Sequence, residues 1–333
     1  MLHTFHATRG MVTSPHHLAS QAGLDILKKG GTALEAVVAT AATLSAVYPH
    51  MTGLGGDAFW LVAYPDGRTC VIDACGAAAA KASLALYQDA GHTEIPWRGG
   101  LAANSMAGTV SGWQEALHQS AAIKPNLPLS ELLKDAIYYA EAGYAVSESE
   151  AALLREKKGE LAHNQAFMAA YAGRDVLVSH GEIRRNPAFG RTLRHLAEDG
   201  LQDFYIGRTA QDLAHDLQQA GSPLCREDFT THRATLTVPL QTDIRGAKLD
   251  NTPPPTPGVA SLAILKLCDQ IPATEAESFS HIHGLVEATK KAFIFRNAHV
   301  GDPAFMTACS QSFLNDTAQI KHLADSIDMT RAM

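Results

Sequence analysis

The order of elements along the chain predicts a layered α+β fold with a helical excursion, and three observations carry that expectation. Two capped helical segments precede a pair of apolar runs around Pro65-Asp66-Gly67, a hairpin signature. A long middle of helical periodicity follows, and strands and helices then return without the alternation of a βαβ array. The composition is aliphatic: 46% of the 333 residues are apolar but only 7% are aromatic, so the core has to be built from Ala, Leu, Val and Ile, which suits helices packed closely on a sheet.

Taken in order, residues 17–29 carry Leu18, Ala22, Leu24 and Leu27 at helical spacing, and Gly30-Gly31 stops them. Thr32 caps a second helix over 33–47, with Glu35 in the capping-box position. That helix is Ala- and Val-rich on nearly all faces, the pattern of a buried helix, and Pro49 ends it. After the glycine turn Gly53-Leu54-Gly55-Gly56, the runs 59–64 and 69–72 read as strands buried in a central sheet. Further helices are predicted over 110–120, 129–141, 189–199, 209–219, 259–269 and 280–298, and a strand pair over 233–240 and 242–249. The segment from Asn251 through Pro253, Pro254, Pro255 and Pro257 to Gly258 reads as a stiff extended loop. With no repeat and no linker, 1–333 reads as one domain with a mainly helical middle at about 110–230.

Several function classes are excluded at this level. The net charge is −7 and no dense Lys/Arg stripe occurs, which argues against a nucleic-acid partner or an anionic membrane surface. The longest apolar stretch, 33–49, contains Glu35, Thr40, Thr43 and Ser45 and is too short and too polar to span a bilayer. The N-terminus, MLHTFHATRG, lacks the apolar core of a secretory signal, so a cytoplasmic location is expected. The five cysteines, Cys70, Cys75, Cys225, Cys268 and Cys309, are odd in number and widely spaced, which is neither a disulfide framework nor a zinc pattern.

The local motifs leave the chain without a self-contained catalytic set. The glycine turn follows a helix and precedes a strand, the reverse of a dinucleotide fingerprint, and no Walker loop is present. The histidine clusters His16-His17 and His281-x-His283 fall short of three or four convergent ligands, so neither metal nor cofactor is expected. Gly108-Thr109-Val110-Ser111-Gly112 has its serine one place too late for a nucleophile elbow. The candidates for a substrate pocket are His50, Gly55, Gly56, Asp57, Asp73, Cys75 and Gly76, because they lie in loops at strand ends, where chemistry is carried on a rigid sheet. Each also has a structural reading: glycines chosen for positive φ, aspartates that cap turns, a small cysteine in a tight turn. Arg9 is a candidate cation for the site.

A set of stretches, in order, resembles the gamma-glutamyltransferase family of N-terminal nucleophile hydrolases. They are Ser14-Pro15-His16 with Ala19-Ser20-Gln21-Ala22-Gly23-Leu24 and Gly30-Gly31-Thr32-Ala33; Tyr48-Pro49-His50-Met51-Thr52-Gly53-Leu54-Gly55-Gly56-Asp57; Ala107-Gly108-Thr109-Val110-Ser111-Gly112; Asn186-Pro187-Ala188 and Asp203-Phe204-Tyr205-Ile206-Gly207; the Pro-rich loop at Thr252; and His283-Gly284-Leu285-Val286-Glu287-Ala288 with Gly301-Asp302-Pro303. The resemblance, over about residues 10–305, implies a four-layer αββα sandwich completed by a second chain. It implies a precursor that cleaves itself, releasing a small subunit whose N-terminal threonine is the nucleophile and whose α-amine is the base. This chain then reads as the large subunit, with no catalytic residue of its own, paired with the small subunit in a heterodimer or a dimer of heterodimers.

Where that family carries an arginine that grips the α-carboxylate of the glutamyl group, this chain reads Asp73-Ala74-Cys75-Gly76-Ala77-Ala78-Ala79-Ala80, with no arginine. A bidentate guanidinium is hard to replace. The departure points to a branch of amidohydrolases acting on small amide acids, oxamate foremost, giving oxalate and ammonia. Two other readings stand beside it: a gamma-glutamyl hydrolase or transferase that uses another cation, and a non-catalytic binding protein on the same fold.

Overall fold

In the computed structural model, which describes residues 4–162, 164–173, 176–271 and 275–333, the opening helix pair forms as the sequence predicts. His17–Lys28 and Ala33–Val47 pack on each other, and Gly23 marks their closest approach: a Cβ there would run into the Thr40 side chain and the Ala36 carbonyl. The predicted capping box is present. Thr32 Oγ1 accepts from Glu35 N at 3.2 Å and Glu35 Oε2 accepts from Thr32 N at 2.7 Å. Glu35 is fully buried, and its other carboxylate oxygen accepts from Leu127 N at 2.6 Å. Helices Lys134–Ala142 and Thr109–Ala121 cover the second helix, which is why it tolerates no polar face.

The chain divides into two units, residues 1–58 with 74–234, and residues 59–73 with 235–333. The first is mainly helical. Its predicted helices appear as Thr109–Ala121, Pro187–Asp199 and Arg208–Gln219. The helix expected over 129–141 breaks at Leu133 (φ −94°, ψ −2°) into Leu129–Leu132 and Lys134–Ala142. Glu148–Leu161 is helical without having been predicted; only Glu150, Ala151 and Leu154 are buried along it, so it shows no apolar stripe. Glu150 pairs with buried Arg184 at 2.9 Å and accepts from Tyr144 OH at 2.8 Å, while the Arg184 guanidinium stacks 4.1 Å from the Tyr171 ring.

The second unit holds a three-stranded sheet in the order Ala58–Ala63, Thr69–Ala74, Thr235–Thr237. Ile72 lies opposite Leu236, and Asp73 opposite Thr235, in an antiparallel register. The strand pair expected over 233–240 and 242–249 is corrected. Pro239 interrupts the first run, Thr235–Thr237 joins the sheet, and the hairpin is Leu240–Ile244 with Ala247–Asn251. Its turn is Arg245-Gly246, both at positive φ (51° and 79°), the primed geometry that matches strand twist. Helices Gly258–Gln270, Phe279–His299, Ser310–Asn315 and Thr317–Asp325 bury Val259, Leu262, Leu267, Ala288, Phe313, Leu314 and Ile320.

Two further expectations are corrected here. Within this chain the strand Ala58–Ala63 is not buried on both faces; it alternates half-buried and exposed, leaving Phe59 and Leu61 open. The proline-rich loop is not extended: Thr256 N donates to the Pro253 carbonyl and Thr256 Oγ1 to the Thr252 carbonyl, which folds it into a turn before helix Gly258–Gln270. Among the described residues no helix is long and apolar enough to cross a membrane.

Candidate active site

Three of the predicted site residues come together in the first unit. Asp57 Oδ1 accepts from Gly76 N at 2.8 Å, and the Cys75 thiol lies 3.7 Å from Asp57 Oδ2. Gly76 is glycine for space: the segment after it runs alongside Ser105 and Met106, with Met106 N donating to Ala77 O at 2.8 Å, and a Cβ on Gly76 would collide with the Met106 backbone. Gly56 is tied in through its carbonyl, which accepts from Gly108 N, Thr109 N and Thr109 Oγ1 at 2.8 to 2.9 Å, fixing the glycine turn to the start of helix Thr109–Ala121.

The structural reading of Gly55 and Gly56 is overturned. Neither has positive φ, and a Cβ on either meets nothing within 4 Å. Both are exposed, and among the described residues no acceptor takes the amide N–H groups of Gly53, Leu54 or Gly55. Small residues with free donors are what a turn presents to something outside the chain.

His50 and Asp73 have other neighbours. The His50 ring packs on Tyr48 at 4.2 Å and its Nε2 lies 3.4 Å from Ser149 Oγ, close to Glu150 and Arg184. Burial, aided by the Arg184 charge and opposed by Glu150, holds its pKa below the ordinary histidine value. Asp73 belongs to the second unit, where it lines a cavity with Thr235, Thr237, Leu240 and the 306–311 segment. Arg9 is exposed in the segment before the first helix.

Local sequence gave no sign of the partners that Cys75 acquires. A cavity of about 370 Å³ is walled by Cys75, Ala77, Ala78, Ala80 and Met106, and by Asp228, Thr231, His232 and Arg233. Asp228 fastens the two sides: Oδ1 accepts from Ala80 N at 2.9 Å and Oδ2 from Cys225 N at 2.8 Å. Burial works against its charge, yet those N–H donors hold its carboxyl below the usual range.

His232 also reaches Ser111, whose Oγ lies 2.9 Å from His232 Nε2 and donates to Gly108 O at 2.7 Å. The single hydroxyl proton is committed to that carbonyl, so Nε2 is the donor and the pair is not a nucleophile with its base. Tyr205 braces the same helix start, donating to Ala107 O and accepting from Ser111 N; burial pushes its phenol up to about 12. Among the described residues no group of three or more His, Cys, Asp or Glu side chains is placed to hold a metal ion.

The sequence model described as gamma-glutamyltranspeptidase matches residues 19–333. The chain belongs to the gamma-glutamyltranspeptidase family. It is 45% identical over 323 residues to the oxamate amidohydrolase proenzyme of Klebsiella pneumoniae, a match covering 97% of this chain and 61% of that protein. It is 36% identical over 324 residues to the glutathione hydrolase-like YwrD proenzyme of Bacillus subtilis, covering 96% of this chain and 60% of that one. The chain thus spans about 60% of the length of these curated relatives.

Among solved structures, Helicobacter pylori gamma-glutamyltranspeptidase superposes with a TM-score of 0.92 at 25% identity, over 99% of this chain and 95% of that one. The Pseudomonas nitroreducens enzyme gives 0.89 at 28% identity, over 98% and 97%. The fold is that of the family's N-terminal nucleophile hydrolases, as the resemblance implied.

Proposed function

We propose that this chain is the large subunit of a self-processing amidohydrolase that cleaves a small amide acid, with oxamate as the substrate: water is added across the C–N bond, giving oxalate and ammonia. One observation carries the reading. Identity to the oxamate amidohydrolase proenzyme is 45% across 97% of the chain, against 29% for the glutathione hydrolase proenzyme of Escherichia coli. The run of small residues from Cys75 to Ala80 supports it, since a cavity walled by alanines suits a short acid. The proenzyme names of the relatives support processing, with an N-terminal threonine on the second chain as nucleophile and its α-amine as base. The exposed Phe59, Leu61, Leu236 and Val238 of the second unit support a partner chain that covers them.

The test is expression of the whole precursor. Two chains should appear, the smaller beginning with threonine, and kcat/KM for oxamate should exceed that for a gamma-glutamyl anilide. The reverse order would establish gamma-glutamyl chemistry instead; an unprocessed, inert protein would establish the non-catalytic reading.

A further inference from the structure

We propose that Arg233 binds the carboxylate of the substrate in the cavity beside Cys75; the proposal rests on the amide-acid reading above. Among the described residues that wall this cavity, Arg233 carries the permanent positive charge. It is exposed, and its Nη1 donates to the carbonyls of Thr230 and His232, a pair of backbone anchors that hold the guanidinium at the cavity wall. Among the described residues no carboxylate lies within ion-pair distance of it, and its Nε and Nη2 donate to none of them.

The carboxylate that shares the cavity, Asp228, is already committed to the Ala80 and Cys225 amides. The guanidinium charge is therefore left for a ligand. Its remaining N–H edge has the fork geometry that pairs with a planar carboxylate, which an ammonium lacks. Ala77, Ala78 and Ala80 in the same lining add little bulk, so the space admits a short acid but offers few groups to grip a longer chain.

The experiment uses the processed two-chain protein as wild type, Arg233→Gln and Arg233→Lys. Steady-state kinetics are run with oxamate and with its neutral analogue oxamide, and oxalate binding is measured by calorimetry. Loss of a charge-assisted hydrogen-bond pair predicts a roughly 10- to 100-fold rise in KM for oxamate in Arg233→Gln and a matching loss of oxalate affinity. The preference for oxamate over oxamide should fall, and Arg233→Lys should recover part of the affinity, which a merely structural role would not produce.

An oxamate KM and an oxalate affinity that change by less than about twofold overturn the proposal, since that is below the effect of one such bond. If the wild type does not hydrolyse oxamate but loses oxalate binding on Arg233→Gln, the substrate reading fails and the carboxylate site stands. If the wild type neither hydrolyses oxamate nor binds oxalate, both fail.

Discussion

The helix Ala33–Val47 and the strand Ala58–Ala63 are both nearly continuous apolar runs in the sequence, yet they end in opposite environments. The helix is buried almost all round, with Val37 its exposed large residue. No residue of the strand is fully buried, and Phe59 and Leu61 are 39% and 46% exposed. Patterning states that a surface is to be covered, and leaves open whether the cover comes from the same chain. The helix is covered by Thr109–Ala121 and Lys134–Ala142 of its own unit. The open face of the strand is the place where the second chain proposed above would have most to add.

The comparison breaks most severely at Glu35, the fully buried charge-bearing side chain that lets the helix start inside the core. Glu35→Ala leaves the half-buried amides of Thr32 and Leu127 without their carboxylate acceptor, at a cost of roughly 1 kcal/mol for each donor, the low end of the range for an unsatisfied group. Thermal melting of the processed protein should show that loss, with Glu35→Gln intermediate because one oxygen remains. A melt unchanged by Glu35→Ala would mean that this end of the helix is not the closed structure described.

The strand sharpens the comparison from the other side. Phe59→Ser and Leu61→Ser remove apolar surface that a partner chain is expected to bury, worth about 1 kcal/mol each for side chains already half covered. Val37→Ser serves as the control, because its helix already has its cover. Both strand variants should lower the temperature at which the two chains separate, and Val37→Ser should not. Equal effects from all three would remove the distinction between the two regions.

A smaller effect is expected with pH at the C-terminal end of the helix. His16 and His50 flank Tyr48, at ring distances of 6.3 and 4.2 Å. Both are held below the ordinary histidine pKa, His16 by burial and then by the neighbouring His17 and His50. His16 Nδ1 also accepts from Leu18 N, which requires that nitrogen unprotonated. A base with a lowered folded-state pKa binds fewer protons folded than unfolded. Its contribution is whole above the unfolded value of about 6.5 and is lost as pH falls through the folded value. The melting temperature should therefore drop between about pH 7 and pH 5, and a His16→Asn, His50→Gln protein should lose part of that slope. An unaltered slope in the double variant would assign the acid sensitivity elsewhere.

Much of the fold was legible because its determinants are close in sequence. The capping box at Thr32 and Glu35, the Pro65-Asp66-Gly67 turn and the bounds of Thr109–Ala121 follow from rules that act over four or five residues. The Arg245-Gly246 turn was missed because its arginine takes the positive φ that such rules reserve for Gly, Asn or Asp. Glu148–Leu161 was missed because its few buried residues leave no apolar stripe to read.

The candidate site divides in the same way. The ordered motifs determined the family, and the strand-end position of Asp57, Cys75 and Gly76 was enough to nominate them. The sequence did not show that Gly76 is needed for the passage past Met106, nor that Gly55 and Gly56 stand in open space. It also did not bring Arg233 to Cys75, since no spacing rule links positions so far apart. That proximity follows from the bond between Ala80 and Asp228 and from the helix Arg226–Thr231 leading into Arg233. Local conformation is written in neighbouring residues, because backbone sterics and capping act at short range. Which distant side chains share a cavity is decided only when the whole unit packs.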